Sequence, residues 1–290
     1  MSAPLFFHFN QYGTALRYTL AKLLFDQGWQ LADCAEKANF SDHNLSLGDD
    51  ISIVLEYKHL LALLAKHFFP NKMPQTFNID DHNYHDVLKR VTKQKQQTPW
   101  ILKPAFLNNG DYIYIFENLA QLRAHYSNPA RLSGMHVLQK YIINPHLWEG
   151  SKYTFRLPVI ATNYAGVFLY QHGYINISPL SYSLDFKPEL KRKHITNYVI
   201  EGKISGIQQE ATFSVPNFSR IFSQMVAIVQ AVFQAVLAVF PRYLQINNTQ
   251  IFEIFGFDFL LDANNKLWLL EINQGPDFPL DTDHPLYKNL

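Results

Sequence analysis

The chain has 290 residues, 48% of them apolar and 17% charged, and its formal net charge is +1. Such a composition is globular and long enough for one large domain or two to three smaller ones, and it excludes the basic field that nucleic acid or an anionic membrane would need. A single cysteine, Cys34, rules out an intrachain disulfide and agrees with a reducing cytoplasmic compartment.

Met1 to Tyr12 has no basic segment and no long apolar run, so no signal peptide is read there. Thr14 to Trp29 is predicted helical, with Leu16, Leu20, Leu23 and Leu24 on one face, and Ile51 to Phe68 forms a second helix stopped by Pro70. Asp86 to Gln97 reads as an exposed basic helix. Trp100 to Leu102, Ile113 to Phe116 and Val137 to Ile142 read as short buried strands, with a loop holding Asn108-Asn-Gly110 between the first two.

Tyr153 to Thr162 alternates. Tyr153, Phe155, Leu157, Val159 and Ala161 share one face, and Lys152, Thr154 and Arg156 share the other. Pro158 removes a ladder donor, which implies an edge strand or a bulge. Val167 to Tyr170 is the next strand, and Ser181 to Glu210 reads as polar and irregular. Ser219 to Phe240 is the strongest helix, with Phe222, Met225, Val229, Phe233, Val236 and Phe240 at helical spacing. Its apolar part is short for a membrane span and contains Gln230 and Gln234, so it is read as buried in a core. Ile251 to Leu261 and Lys266 to Ile272, joined by Asp262 to Asn265, form a hairpin. Strands and helices mix without a βαβ rhythm, which makes the class α+β.

The hairpin carries the best chemical site. Glu271 and Asn273 point the same way, two residues apart, and Asp258 sits on the partner strand among Phe255, Phe257 and Phe259. Acids in apolar surroundings need a cation or an ion-pair partner. Two carboxylates and an amide oxygen, without His or Cys, suit Mg²⁺ rather than zinc; the ordinary alternative is an ion pair with Lys or Arg. Lys103 ends a strand before a flexible loop, where a lysine can reach phosphate oxygens. Lys152 and Arg156 share a strand face that can grip phosphate or carboxylate or simply be solvated.

At this point the residues resemble the tubulin–tyrosine ligase family. Phe255-Gly-Phe-Asp-Phe-Leu-Leu-Asp262 followed by Trp268-Leu-Leu-Glu-Ile-Asn273 is similar to that family's closing motif. Val137-Leu-Gln-Lys-Tyr-Ile142 resembles its adenine-side strand. Leu147 to Arg156 resembles its Lys-Phe-Asp-Ile-Arg region, His194-Ile-Thr-Asn197 its His-Leu-Thr-Asn motif, and Ile101-Leu-Lys-Pro104 its phosphate lysine. The motifs run in order from about Lys103 to Asn273.

The resemblance implies an ATP-grasp fold, with a small N-terminal domain (1–48), a central lobe (49–145) and a C-terminal lobe (146–290). It implies a cytoplasmic, monomeric ligase that uses ATP and Mg²⁺ to join a free amino acid to a protein or peptide acceptor through an acyl phosphate, with no nucleic-acid or membrane partner. Asp258, Glu271 and Asn273 would hold Mg²⁺. Lys58, Lys103, Lys152, Thr154 and Thr196 would bind ATP, with Gln139, Lys140, Tyr141 and Ile142 along the adenine. Arg156 and Asn197 would act in catalysis, and Gln171 and His194 would meet the amino-acid substrate.

Three departures stand out. Thr154 replaces the family Asp, the loop Asn108-Asn-Gly-Asp-Tyr112 lacks basic residues, and Gln171 stands where the family has an Arg. A different amino acid, or a different anchor such as Arg192, therefore stays open. So do a nucleotide-binding domain without turnover and an ATP-grasp ligase for a small-molecule acceptor.

Overall fold

The computed structural model describes residues 3–10, 15–93, 98–107, 110–197, 199–200, 203–242, 250–276 and 284. The chain opens with β1 (Phe6–His8), α1 (Ala15–Asp26), β2 (Gln30–Leu31) and β3 (Phe40–Ser41). The strands form a small parallel sheet in the order β2–β1–β3. Helix α1 ends earlier than the apolar pattern implied, because Gly28 takes a positive φ of 81°. The Trp29 amide then closes back on the Leu24 carbonyl at 3.0 Å.

The helix expected over Ile51 to Phe68 is two helices, α2 (Asp49–Glu56) and α3 (Lys58–Phe68). Tyr57 between them is extended, with φ −73° and ψ 114°, and the Lys58 amide donates to the Ala105 carbonyl at 3.2 Å. No Gly or Pro marks this break. It follows from a tertiary hydrogen bond, and it leaves Lys58 at the start of α3.

Next come β4 (Thr76–Ile79), α4 (Tyr84–Thr92), β5 (Trp100–Pro104), β6 (Tyr114–Phe116), α5 (Leu119–Ser127) and β7 (His136–Lys140). The strands make an antiparallel sheet in the order β4–β7–β5–β6. Its core holds Ile79, Leu88, Trp100, Leu102, Leu122 and Leu138.

The rest of the chain is β8 (Leu147–Trp148), β9 (Ser151–Thr162), β10 (Val167–Leu169), β11 (Tyr174–Ser181), β12 (Val199–Ile200), β13 (Lys203–Ile204), β14 (Gln208–Ala211), α6 (Phe218–Val239), β15 (Phe252–Leu261) and β16 (Leu267–Gln274). A seven-stranded sheet runs β14–β11–β9–β15–β16, with β8 and β10 also paired to β9. Strand β9 is thus central, although Pro158 pointed to an edge or a bulge. The Pro158 carbonyl accepts from the Tyr170 amide at 3.0 Å. Its nitrogen faces the same side, where β11 has ended and β10 has begun, so the missing donor falls in a gap of the ladder.

Alternation on β9 and β15 separates core from site. Tyr153, Phe155, Leu157, Val159, Phe255, Phe257 and Phe259 are fully buried in one apolar core, each contributing roughly 1.5–3 kcal/mol of burial. Helix α6 is long and apolar enough to cross a membrane by length and composition. Its Met225, Val232 and Phe233 are buried in that same core, with the Phe233 ring 6.2 Å from Phe255 and 6.4 Å from Phe257. Leu55, Leu61 and Leu64 of α2 and α3 join it too.

Candidate active site

A cavity of about 750 Å³ opens where α3, the four-stranded sheet and the polar face of the seven-stranded sheet meet, a size that suits a nucleotide-scale ligand. Its floor is set by strand register. Asp258 lies opposite Glu271 on β16 and opposite Arg156 on β9, and Arg156 lies opposite Tyr174 on β11. These four side chains form one row across the sheet. A bulge in the β15–β16 ladder beside Asp258 precedes the next matched pair, Phe259 with Leu269. The hairpin turn is held by Asp262, which accepts from the Asn264 and Lys266 amides at 2.9 and 3.0 Å and from the Trp268 indole at 2.9 Å.

Arg156 grips Asp258 with a fork, Nε to Oδ1 and Nη2 to Oδ2, the latter at 2.6 Å. The Asn273 amide nitrogen adds a long 3.4 Å contact to Oδ2. Glu271 lies 3.8 Å from the Lys58 ammonium, which also donates to the Leu107 carbonyl at 2.9 Å. Lys103 donates to the Gln139 side-chain oxygen at 3.1 Å. Lys58, Lys103 and Lys152 are all buried. Three lysines and an arginine therefore face two carboxylates, among the described residues, in a low-dielectric cavity, an excess of basic groups that a bound anion would hold in their charged form.

Burial pushes Asp258 above the ordinary carboxylate range, and neighbouring Glu271 adds to this against the pull of Arg156. Burial also opposes the charge on Glu271, but Lys58, Lys103 and Arg156 outweigh it and hold that carboxyl low. For Arg156, burial is outweighed by Asp258, which keeps the guanidinium charged. Burial lowers Lys103 despite Glu271. Burial, then Lys103, brings Lys152 down to about 7.

Among the described residues, no group of three or more His, Cys, Asp and Glu is placed to hold a metal. The donors here are two adjacent carboxylates with an amide beside them. That set fits Mg²⁺, which is held by one or two carboxylates while phosphate oxygens and water complete its shell. A dication between Asp258 and Glu271 would also relieve their repulsion.

The cavity brings together nearly all the residues singled out above: Lys58, Lys103, Gln139, Lys140, Tyr141, Ile142, Lys152, Thr154, Arg156, His194, Thr196, Asn197, Asp258 and Glu271 line it. The Thr154 and Thr196 hydroxyls are 2.7 Å apart. Asn273 reaches the site only through Asp258. Gln171 is the correction. It is exposed and outside the lining, because it lies in the connection between β10 and β11, before the strand that forms the wall. Arg192 is also outside the lining; its carbonyl accepts from the Ser178 hydroxyl at 2.7 Å. His194 does line the cavity, but both ring nitrogens are engaged by the protein. Asn108 and Asn109 of the phosphate loop lie outside the described residues. Gly110 lines the cavity with φ 72°, and a Cβ there would come within 3.3 Å of Ile195.

Sequence reasoning missed Tyr174, Asn176, Gln209 and His284 on the far wall. The Gln209 amide donates to Asn176 at 2.8 Å, and His284 lies 2.7 Å from the Gln209 oxygen. The signal was present in the buried Ile175 and Ile177 alternating with Tyr174 and Asn176.

The sequence model described as "Tubulin-tyrosine ligase family" matches residues 54–290. A probable tubulin polyglutamylase of Mus musculus is 31% identical over 242 residues, covering 75% of this chain and 42% of that protein. One of Caenorhabditis elegans is 26% identical, covering 71% of this chain and 52% of that protein. A probable tubulin–tyrosine ligase of Schizosaccharomyces pombe is 27% identical, covering 66% and 55%. The chain thus spans about half the length of these relatives.

Proposed function

The chain belongs to the tubulin-tyrosine ligase family, and from that premise we infer that it is an ATP- and Mg²⁺-dependent ligase that joins an amino acid to a protein acceptor by an amide bond. The observation that carries this reading is the cavity in which the basic residues Lys58, Lys103, Lys152 and Arg156 gather around the carboxylates of Asp258 and Glu271, the two acids among the described lining residues. No structural role asks for so many buried cations, whereas a triphosphate needs them.

In the reaction, an acceptor carboxylate takes the γ-phosphoryl group and ADP leaves. The amine of the second substrate then attacks the acyl phosphate, losing a proton as inorganic phosphate departs. Lys58, Lys103 and Lys152 hold phosphate oxygens. Arg156 stabilises the charge that develops on the transferring group, a role electrostatic preorganisation serves best. Gln139 to Ile142 flank the adenine, the Thr154 and Thr196 hydroxyls meet the sugar, and Asn197 lies towards the reacting end. Asp258 and Glu271, with Asn273 behind Asp258, would hold Mg²⁺. Bound there, it would supply charge that neutralises the phosphates and the departing ADP.

The relatives named above are described as acting on tubulin, so tubulin is the first acceptor to test, with glutamate and tyrosine the first amino acids. Calorimetry of ATP binding with and without EDTA tests the site itself. Strong binding only with Mg²⁺ is the expected result. Equal affinity in both solutions would remove the metal from the site.

A further inference from the structure

We propose that Tyr141 and His194 are positioning residues that aim the Lys152 ammonium at a phosphate oxygen in the cavity. This rests on the reading of the cavity as an ATP site.

Lys152 lies on the cavity face of β9, and among the described residues no carboxylate pairs with it. An ammonium has three hydrogens. One goes to the His194 carbonyl at 2.7 Å and one to the Tyr141 hydroxyl at 3.2 Å. The ammonium also sits 4.6 Å from the centre of the Tyr141 ring. The third hydrogen is left for the cavity that Lys152 lines.

The chemistry of the partners fixes the direction of this chain. His194 Nε2 lies 2.9 Å from the Asp185 carbonyl, which only accepts, so Nε2 carries the proton. Burial lowers His194 to about 4, leaving the ring neutral and Nδ1 bare. Tyr182, the other hydroxyl beside Tyr141, spends its own proton on the Ile143 carbonyl at 2.8 Å, so Nδ1, 2.9 Å from Tyr141, has that hydroxyl as its donor, and the Tyr141 lone pairs turn to Lys152. Phe186 stacks on the imidazole at 4.7 Å and meets the Tyr141 ring edge-on at 5.4 Å, so neither ring is free to turn. The other ionisable groups around the chain are Lys103 on β5, Tyr182, Asp185 and Lys193. Both nitrogens of His194 are spent on the protein, so it acts on a ligand only through Tyr141 and Lys152.

The two amide replacements of His194 separate positioning from mere structure. In His194→Asn the side-chain oxygen stands near the place of Nδ1 and keeps an acceptor for Tyr141. His194→Gln keeps a donor towards Asp185 and leaves Tyr141 without its acceptor. MgATP binding is measured by calorimetry at pH 7 in two buffers of different ionisation heat, alongside melting temperature. With Lys152 at about 7, the wild type should take up about half a proton as phosphate charge restores the ammonium. His194→Asn should bind within about twofold of wild type. His194→Gln and Tyr141→Phe should bind about tenfold or more weakly, and in Tyr141→Phe the uptake should rise towards one proton, because Lys152 has lost an acceptor. If both His194 variants lose affinity equally, or Tyr141→Phe matches the wild type in affinity and uptake, the inference is overturned while the ATP site stands. A wild type that binds no MgATP overturns both.

Discussion

Replacing Arg156 with Met isolates the energetics of the site floor. The substitution keeps an unbranched apolar stem and removes both arms of the fork on Asp258. What remains for that carboxylate is the long 3.4 Å contact from Asn273, with Glu271 directly across the strand. Breaking one side of a buried pair costs about 3–5 kcal/mol. For a chain of 290 residues the unfolding entropy is about 0.6 kcal/mol/K, so the melting temperature should fall by about 5–8 °C at pH 8.

The pH dependence gives the sharper check. Burial and Glu271 already hold Asp258 above its ordinary range against the pull of Arg156, and losing Arg156 raises it further. A carboxyl whose folded pKa exceeds its unfolded value binds more protons in the folded state. Its penalty is therefore absent at low pH and grows as pH rises from the unfolded value through the folded one. The gap between variant and wild type, read by differential scanning calorimetry, should shrink from pH 8 to pH 5. Adding Asp258→Asn to the variant should recover part of the loss. A variant that melts with the wild type at pH 8, or a gap unchanged at pH 5, would refute the picture of Asp258 as a buried charge held by Arg156.

Glu271→Gln should cut Mg²⁺-dependent ADP formation by orders of magnitude. It should also lower the melting temperature at pH 7, by a difference that narrows on acidification, because Glu271 is held low by Lys58, Lys103 and Arg156 and the stability such a group contributes is full above its unfolded pKa and is lost as pH falls towards its folded one. Phe233→Ala removes a ring packed on Phe255 and Phe257 and should cost about 3–5 kcal/mol in denaturant titration, with ATP affinity at saturating stability unchanged.

What the sequence disclosed and what it hid follow one physical rule. The polar face of β9 and the Asp258–Glu271 hairpin were legible because strand alternation is local: Lys152, Thr154 and Arg156 must share a face whatever surrounds them. The break at Tyr57 was not legible, since it depends on the Ala105 carbonyl some fifty residues away in sequence. Strands of two or three residues such as β1, β2 and β3 are too short to show a period. Gln171 was misplaced because a linear match marks a position, not the wall it faces; the wall begins at Tyr174, three residues on. The setting of Glu271 was not legible either. Its neighbours in sequence are apolar, which suggests that its charge is a burden. Its neighbours in space are lysines, which make the charge stabilising.

The central claim is ligase chemistry, and its most direct test is ADP formation together with mass spectrometry of the acceptor. The protein is incubated with MgATP, tubulin and a free amino acid, glutamate and tyrosine first. The account predicts that ADP forms only when all three are present, with one ADP for each amino-acid residue gained by the acceptor. ADP release that ignores amino acid and acceptor, or tight MgATP binding with no acceptor gaining mass across the full set of amino acids, would contradict it.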